Sequence, residues 1–293
     1  MENKLQIKFP PLEPALYLVS TPIGTVADFS FRGVNVLANA DILLAEDTRV
    51  LKKLLRLFEI NPNNRLIRNY SDNSTALVRS RCITDLQDKK SIAYCSDAGT
   101  PLISDPGYKL VKEVVEKGFK VRSIPGASAV LTALCQSGLP SDRFFFGGFP
   151  PSRKSQRLDF FKEYSLIPAT LIFFESARRL IATLEDLQEI FGDNHTIVIS
   201  RELTKRYEEN SRGFIKNLII QTQKSENIRG EFTILVDRKE PMKPDQNLIV
   251  AQLTSELSKS SLRDASAFIA EKYSLSKKDM YKLGLKISKK QDV

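Results

Sequence analysis

The chain has 293 residues, of which 42% are hydrophobic and 27% are charged, with a formal net charge of +9. This composition is typical of a globular protein, and the length predicts about two domains of roughly 100–200 residues each. The only histidine, His195, excludes metal cages built from several histidines and leaves a Ser/His/Asp triad possible only through that residue.

The sequence predicts a cytoplasmic protein without a membrane partner or a metal. No apolar run approaches the roughly 18 residues that span a bilayer, and the first 14 residues lack the apolar centre of a secretory signal. The three cysteines, Cys82, Cys95 and Cys135, are far apart in segments typical of helix or buried strand. We therefore expect small core residues rather than a disulfide or a metal site.

Short apolar runs alternate with segments of helical periodicity in the first half of the chain. Because strand–helix–strand repetition requires crossover connections, it predicts a mainly parallel sheet that is covered on both faces. The predicted strands are 15–20, 41–45, 65–68, 91–95 and 120–124, and the predicted helices are 31–40, 48–58, 74–87, 107–117 and 127–137.

Glycines and prolines interrupt an aromatic run at residues 144–151, and we place a lobe boundary there. The pattern divides the first 237 residues into an N-terminal α/β lobe, 1–143, and a smaller α/β lobe, 144–237. In the second lobe the predicted strands are 170–174, 196–200 and 231–237, and the predicted helices are 177–191 and 214–223.

A proline-containing linker, 238–246, precedes a small basic domain at 247–293. Three amphipathic helices are predicted there at 247–258, 262–273 and 277–287, and the last two form a helix-turn-helix-like pair. Residues 238–293 carry 12 lysines and arginines against 7 acidic residues. This excess of positive charge indicates a polyanionic partner such as nucleic acid.

Three unusual loops follow predicted strands: TPIG at 21–24, SDAGTPLISDPG at 96–107 and PGAS at 125–128. One such loop could be only a tight turn, but three at the carboxyl edge of one parallel sheet indicate a ligand site. The glycine patterns of dinucleotide-binding and P-loop proteins are missing. Acidic residues without an adjacent lysine suit a cation, such as the sulfonium of S-adenosylmethionine.

These loops belong to a longer series of motifs, namely LVSTPIGTVADFSFR, AEDTR, SDAGTPLISDPGYKLV, PGASAVLTAL, GLPSDRFFFGGFPP, LIFFESARRL, SRELTK and RGEFTILV. In order and spacing over residues 15–236, the series resembles the ribosomal RNA small subunit methyltransferase I family of the tetrapyrrole methylase superfamily. The resemblance implies a two-lobed class III methyltransferase fold, a homodimer, and S-adenosylmethionine bound between the lobes. It also implies 2′-O-methylation of a cytidine ribose in the decoding region of small-subunit ribosomal RNA, presented by an assembled subunit.

The resemblance further implies a set of residues around the methyl donor. They are Pro22, Ile23, Asp97, Gly99, Thr100, Pro101, Ser104, Gly126, Ala127, Phe174, Glu175, Leu203, Gly230, Glu231 and Phe232. The chain departs from the family at Tyr70, Ser71, Asp72 and Asn73, where a histidine-rich segment is common, and at Val50, where a histidine is common.

Asp47 and Lys205 are the candidates for accepting the proton of the ribose hydroxyl. Asp47 could instead cap a helix or pair with Arg49, and Lys205 could instead contact phosphate. The candidates for binding RNA are Arg32, Arg49, Arg153, Lys154, Arg157, Arg201 and Lys205, together with the basic tail; residues 153–157 could equally be a solvated face.

Three other functions remain open at this point. The first is a methyltransferase of the same fold that acts on a tetrapyrrole, another small molecule or a protein side chain. The second is an RNA-binding protein without activity, in which the loops persist only as structure. The third, a nucleotide-dependent oxidoreductase, lacks its glycine pattern.

Overall fold

The structure is a computed structural model that describes residues 8–71, 76–225, 228–238, 246–273 and 275–291. The chain divides into two compact units, Met1–Arg238 and Lys239–Val293. In the described residues, no helix is both long and apolar enough to cross a membrane.

The first lobe is built on a five-stranded parallel sheet of strand order β3-β2-β4-β1-β5, which confirms the predicted parallel sheet. Its strands are β1 (Leu16–Val19), β2 (Ile42–Ala45), β3 (Leu66–Asn69), β4 (Ile92–Cys95) and β5 (Val121–Ile124). Its helices are α1 (Phe31–Asn39), α2 (Thr48–Leu57), α3 (Ala76–Gln87), α4 (Tyr108–Glu116) and α5 (Ala129–Ser137).

The central strands of this sheet are apolar throughout because helices cover both of its faces. All four residues of β2 are buried, and so are all four of β4. Successive side chains point to opposite faces, so Leu43 joins one hydrophobic cluster and Leu44 joins another. Cys82 and Cys95 are buried as expected, whereas Cys135 is exposed and is not a core residue.

The second lobe is built on a mixed sheet of order β6-β7-β10-β8-β9, in which only β6 and β7 are parallel. Its strands are β6 (Phe144–Gly148), β7 (Thr170–Ser176), β8 (Thr196–Arg201), β9 (Glu209–Phe214) and β10 (Glu231–Val236), and its helices are α6 (Lys154–Tyr164), α7 (Leu180–Phe191) and α8 (Ile215–Gln223).

The second unit is a three-helix domain of α9 (Gln246–Leu257), α10 (Leu262–Lys272) and α11 (Lys277–Gln291). Leu253, Ile269 and Met280 contribute one buried residue from each helix to its core. Ser261 caps α10 by accepting a hydrogen bond from the Asp264 amide. Gly284 lets α11 approach α10, since a Cβ there would be 2.5 Å from Leu262 Cδ1.

Candidate functional site

The three predicted loops meet at the carboxyl edge of the first sheet because β4, β1 and β5 are neighbours in it. Thr21 and Gly99 exchange two main-chain hydrogen bonds, of 2.9 and 3.1 Å, which join the first loop to the second. Gly99 has a φ of +78°, a left-handed conformation that favours glycine. These two loops therefore form one continuous surface.

Thr100 joins the remaining loop to this surface. Its hydroxyl donates to the Ala127 carbonyl oxygen at 3.0 Å and accepts from the Ser20 hydroxyl at 3.1 Å. Gly126 lies so close to Ser20 that a Cβ there would be 2.9 Å from the Ser20 Cβ. Only glycine permits this approach, so the loop sequence sets the spacing between the two strand ends.

A cavity of about 450 Å³ lies between these loops and the second lobe. Its volume is within the range of about 300–1,000 Å³ that small-molecule sites occupy. The second-lobe wall comes from the ends of β7 and β10. The lining residues are Ile23, Glu46, Asp97, Ala98, Gly99, Thr100, Ile103, Ser104, Asp105, Ser128, Ala129, Val130, Phe149, Phe174, Glu175, Ser176, Gly230, Glu231, Phe232 and Thr233.

The lining is acidic, and no lysine or arginine belongs to it among the described residues. Glu46, Asp97 and Asp105 lie on the first-lobe side. The Asp97 carboxylate accepts a hydrogen bond from the Asp47 amide at 3.0 Å, which fixes its position at the start of the long loop. Several carboxylates in one partly enclosed space favour a cationic ligand.

Asp105 and Glu46 are the two carboxylates of the lining that the sequence reasoning missed, although they lie within the SDAGTPLISDPG and AEDTR motifs. Burial raises the pKa of the Asp105 carboxyl and the Asp97 charge adds to this, while a hydrogen bond from Ser96 opposes it. Tyr94 anchors the same loop by donating to the Pro106 carbonyl oxygen at 2.8 Å. A fixed, half-buried carboxyl group of raised pKa suits proton transfer.

Glu175 is a buried carboxylate in the second-lobe wall, with 2% of its surface exposed. It accepts hydrogen bonds from the Thr183 hydroxyl at 2.7 Å, the Arg179 guanidinium at 2.9 Å and the Ser176 amide at 2.7 Å. Such full pairing compensates the cost of burying the charge. Glu175 therefore holds the end of β7 in place beside the cavity.

Asp47 combines both structural roles that the sequence left open for it. It caps α2 by accepting from the Arg49 amide at 2.8 Å, and its carboxylate pairs with the Arg49 guanidinium at 2.5 Å. The hydrogen bonds from Arg49 lower the pKa of the Asp47 carboxyl to about 2. Asp47 does not belong to the cavity lining, and a carboxylate held this strongly ionised is a weak base.

Lys205 contacts the first loop from the second lobe. Its Nζ pairs with Glu231 at 2.8 Å and with Glu202 at 3.0 Å, and a Cβ on Gly24 would be 2.6 Å from its Cγ. Burial opposes the charged form, but the hydrogen bonds to Glu231 and Glu202 outweigh it and raise the pKa of Lys205. Lys205 is therefore a protonated cation and not a proton acceptor at neutral pH.

The predicted donor residues fall into two sets. Ten line the cavity, and five lie outside the lining: Pro22, Pro101, Gly126, Ala127 and Leu203. Gly126 and Ala127 position Ser20 and Thr100, as described above. Leu203 is buried in a hydrophobic cluster that includes Ile23. The assignment of all fifteen to donor binding stays a prediction.

The residues predicted to contact RNA differ in how exposed their side chains are. Arg32, Arg49, Arg153 and Lys154 are exposed, and Arg201 is half-buried with its Nε donating to the Arg229 carbonyl oxygen at 2.8 Å.

Arg157 is different and requires a correction. It is buried, and its Nε and a terminal guanidinium nitrogen both lie 2.6 Å from the Asp186 carboxylate. Its remaining nitrogen donates to the Ser152 carbonyl oxygen at 3.0 Å. This guanidinium is satisfied inside the second lobe and cannot reach a phosphate.

Comparison with known proteins identifies the family. The family model "Tetrapyrrole (Corrin/Porphyrin) Methylases" matches residues 15–219. A ribosomal RNA small subunit methyltransferase I of Vibrio cholerae is 40% identical over 278 residues, which cover 93% of this chain and 94% of the relative. One of Mesorhizobium japonicum is 44% identical over 80% of this chain and 79% of the relative. The chain belongs to this family.

Solved structures of the tetrapyrrole methylase fold resemble this member of the ribosomal RNA small subunit methyltransferase I family. Diphthine synthase has a TM-score of 0.59 at 17% identity, covering 76% of this chain and 89% of its own. Cobalt precorrin-4 methyltransferase has a TM-score of 0.55 at 16% identity, covering 76% and 95%. These likenesses confirm the predicted two-lobed class III methyltransferase fold.

Family membership makes the protein a methyltransferase whose methyl donor is S-adenosylmethionine. The acidic cavity fits this donor, because its carboxylates can attract the sulfonium and the amino group. The first turn of α5, at Ser128 to Val130, also lines the cavity, and a helix N-terminus favours an anionic group such as the donor carboxylate.

Among the positions that depart from the family, Tyr70, Ser71 and Val50 lie outside the cavity lining. Tyr70 is buried, with its ring 5.5 Å from that of Tyr94, and Val50 is exposed on α2. Asp72 and Asn73 lie outside the described residues. At these positions the chain offers no imidazole for a proton-transfer step.

Proposed function

We propose that this protein transfers the methyl group of S-adenosylmethionine to the 2′ oxygen of a cytidine ribose in the decoding region of small-subunit ribosomal RNA. The observation that carries the proposal is the acidic cavity between the lobes, in a chain that is 40% identical to a relative named for that RNA over 93% of its length. Specific RNA recognition requires an unpaired nucleotide that can be splayed out, so an assembled subunit is the proposed substrate.

Positioning supplies most of the proposed catalysis. When bound, S-adenosylmethionine supplies an electrophilic methyl carbon on a positively charged sulfur. The cavity would hold the ribose oxygen about 3 Å from this carbon and exclude competing water. The residues around the cavity would orient the ribose hydroxyl for this transfer and would provide an acceptor for its proton.

We assign that proton to Asp105. It lines the cavity, whereas Asp47 is held ionised by Arg49 outside it and Lys205 is already protonated. Asp97 and Glu46 face the same space, and the negative charge of Asp97 favours protonation of Asp105. Lys205, close to the cavity edge, then keeps the alternative role of a phosphate contact.

RNA would approach along the exposed cations of the catalytic unit. Arg32, Arg49, Arg153 and Lys154 supply these contacts, and Arg201 supplies a further one from β8. A homodimer, a cytoplasmic location and the division of the chain into domains at 1–143, 144–237 and 247–293 complete the proposal.

A second candidate function is methylation of a tetrapyrrole in the same cavity, because solved neighbours named for uroporphyrin-III and cobalt precorrin-4 share the fold. Their identities, at 16%, are far below those of the relatives named for ribosomal RNA, at 36–44%.

Deletion of the gene in its host tests the proposal. We expect ribose methylation to disappear at one cytidine of small-subunit ribosomal RNA and to return when the intact gene is supplied on a plasmid. An unchanged methylation map would remove the RNA assignment while leaving the donor site in place. Full return of the methyl group with a plasmid that carries Asp105→Asn would remove the assigned proton acceptor.

A further inference from the structure

Helix α11 presents a ladder of lysines to solvent on one face. Lys278, Lys282 and Lys286 follow one another at intervals of four residues, and Tyr281 and Leu285 lie between them on the same side of the helix. All five side chains are exposed. The core-facing residues of α11 lie on the opposite side: Met280, Leu283, Gly284 and Ile287.

The three lysines have no ion pair with any other described residue of the chain. Other cations of the same unit do have partners: Lys259 pairs with Glu256 at 3.3 Å, and Lys272 donates to Gln252 at 3.0 Å. The ladder therefore spans about 12 Å of helix with three lysines that form no ion pair with a described carboxylate, although Asp279 lies three residues before Lys282 on the same helix.

Stability of the domain does not explain this arrangement. Like charges four residues apart repel each other and destabilise a helix. Lys278 also lies in the first turn of α11, where the helix dipole disfavours a cation. The repulsion between the lysines and the position of Lys278 both destabilise α11. An external anionic partner best explains why the helix carries this face.

We propose that this face of α11 binds the phosphate backbone of helical ribosomal RNA outside the nucleotide that is methylated. The inference rests on the proposed function for the identity of the RNA and gives the second unit a role in holding the substrate. Three lysines on flexible stems match a row of phosphates, and Tyr281 offers a ring that can stack on an exposed base or pack on sugar. Such contacts anchor the RNA without reading its sequence.

The test replaces the ladder by neutral side chains in the full-length protein, as the triple variant Lys278→Gln, Lys282→Gln and Lys286→Gln. Its affinity is measured for free small-subunit ribosomal RNA and for small subunits from cells that lack the gene, between about 50 and 200 mM salt. We expect the slope of log affinity against log salt to fall by about 2, and the Kd to rise about 10-fold near physiological salt.

The matched control removes the same charge from elsewhere in the unit, as Lys259→Gln, Arg263→Gln and Lys272→Gln. It should keep most of the slope; an equal loss in both variants would show that only total charge matters and would overturn the proposal. So would a loss confined to intact subunits, because the face would then bind a ribosomal protein. Circular dichroism and donor binding must match wild type in both variants.

The outcome is independent of the chemical step. The slope is measured without donor, so a failure of ribose methylation would leave it unchanged, whereas an unaltered slope would overturn only the role assigned to α11.

Discussion

Two aspartates close together in this fold have opposite electrostatic environments. Asp47 is the N-cap of α2, outside the cavity lining, where Arg49 lowers the pKa of its carboxyl to about 2. Asp105 is half-buried in the cavity, where burial and the Asp97 charge raise its pKa. Groups whose pKa values are driven apart usually perform different tasks. Here Asp47 is structural, and Asp105 is the residue assigned to proton transfer.

Asp105→Asn should lower the rate of methyl transfer about 10²- to 10⁴-fold, the usual contribution of a general base. Wild-type activity should rise with pH through the raised pKa of Asp105, and the variant should lose this dependence. Single-turnover rates across pH, together with calorimetry of the donor, provide the measurement. A variant with the wild-type rate and pH profile would contradict the assignment.

The same substitution has a consequence for stability. Because its folded-state pKa is raised, Asp105 binds a proton more tightly in the native protein, and its ionisation destabilises the fold as pH rises through that range. The neutral amide of the Asp105→Asn variant removes this penalty, so thermal unfolding near neutral pH should show an unchanged or higher Tm alongside the lost activity.

Asp47→Ala should lower the Tm but leave methyl transfer largely intact, because the side chain caps α2 and pairs with Arg49. Since the pKa of the carboxyl is lowered to about 2, its stabilisation is present above the unfolded value near 4 and is lost as pH falls toward 2. Thermal scans over this range should show wild type and variant converging. Loss of activity with an unchanged Tm would instead favour Asp47 as the proton acceptor.

At the scale of elements, sequence pattern predicts buried strands far better than edge strands. Burial on both faces makes β2 and β4 wholly apolar, so their pattern is unambiguous. Strand β9 is polar because it is at the sheet edge, and the sequence predicted no strand there. Strand β6, FFFGG, was not predicted because its two glycines interrupt the apolar pattern. Helix α6 was missed because its sequence, KSQRLDFFKEY, has no clear apolar stripe. Its buried face includes a charged residue, Arg157, beside Phe161.

The ion pair between Arg157 on α6 and Asp186 on α7 yields a prediction for the second lobe. Arg157→Ala leaves a buried carboxylate without its main partner and should cost about 3–5 kcal/mol of stability. The paired change Arg157→Met with Asp186→Leu should recover most of this. Denaturant unfolding measures both, with the exposed Arg153→Ala as the control.

RNA binding separates the two possible roles of Arg157. The paired variant should keep the wild-type dependence of RNA affinity on salt, because neither side chain contacts phosphate. A slope reduced in the paired variant as much as in Arg153→Ala, which removes a proposed RNA contact, would restore Arg157 as an RNA contact.

At the scale of the whole catalytic unit, the site depends on how loops from distant parts of the chain meet. The sequence predicted that residues 21–24, 96–107 and 125–128 lie at one edge of a parallel sheet, but the strand order that makes them neighbours comes from the structure. The second-lobe contacts could not be predicted: Thr25 donates to the Thr204 carbonyl oxygen at 2.5 Å, and Lys205 packs over Gly24. Both contacts join residues that are far apart in the chain. Hydrophobic periodicity describes only neighbouring residues, so it cannot predict such contacts.

Thr204 and Glu202 both have positive φ values, of +60° and +50°, in the loop that touches Gly24. Backbone strain of this kind persists only where surrounding contacts hold it. These two residues lie in the loop through which the second lobe contacts the first. The space that remains between the two lobes is the cavity described above.

The most direct test of this account is calorimetry of S-adenosylmethionine on the intact protein and on Asp97→Ala, with RNA affinity measured in parallel. We expect one donor per chain in wild type, and about a 10-fold weaker Kd for the donor in the variant, equivalent to about 1.4 kcal/mol, with RNA affinity nearly unchanged. No heat from wild type at millimolar donor, or a variant that loses RNA affinity more than donor affinity, would contradict the claim that these loops enclose the methyl donor.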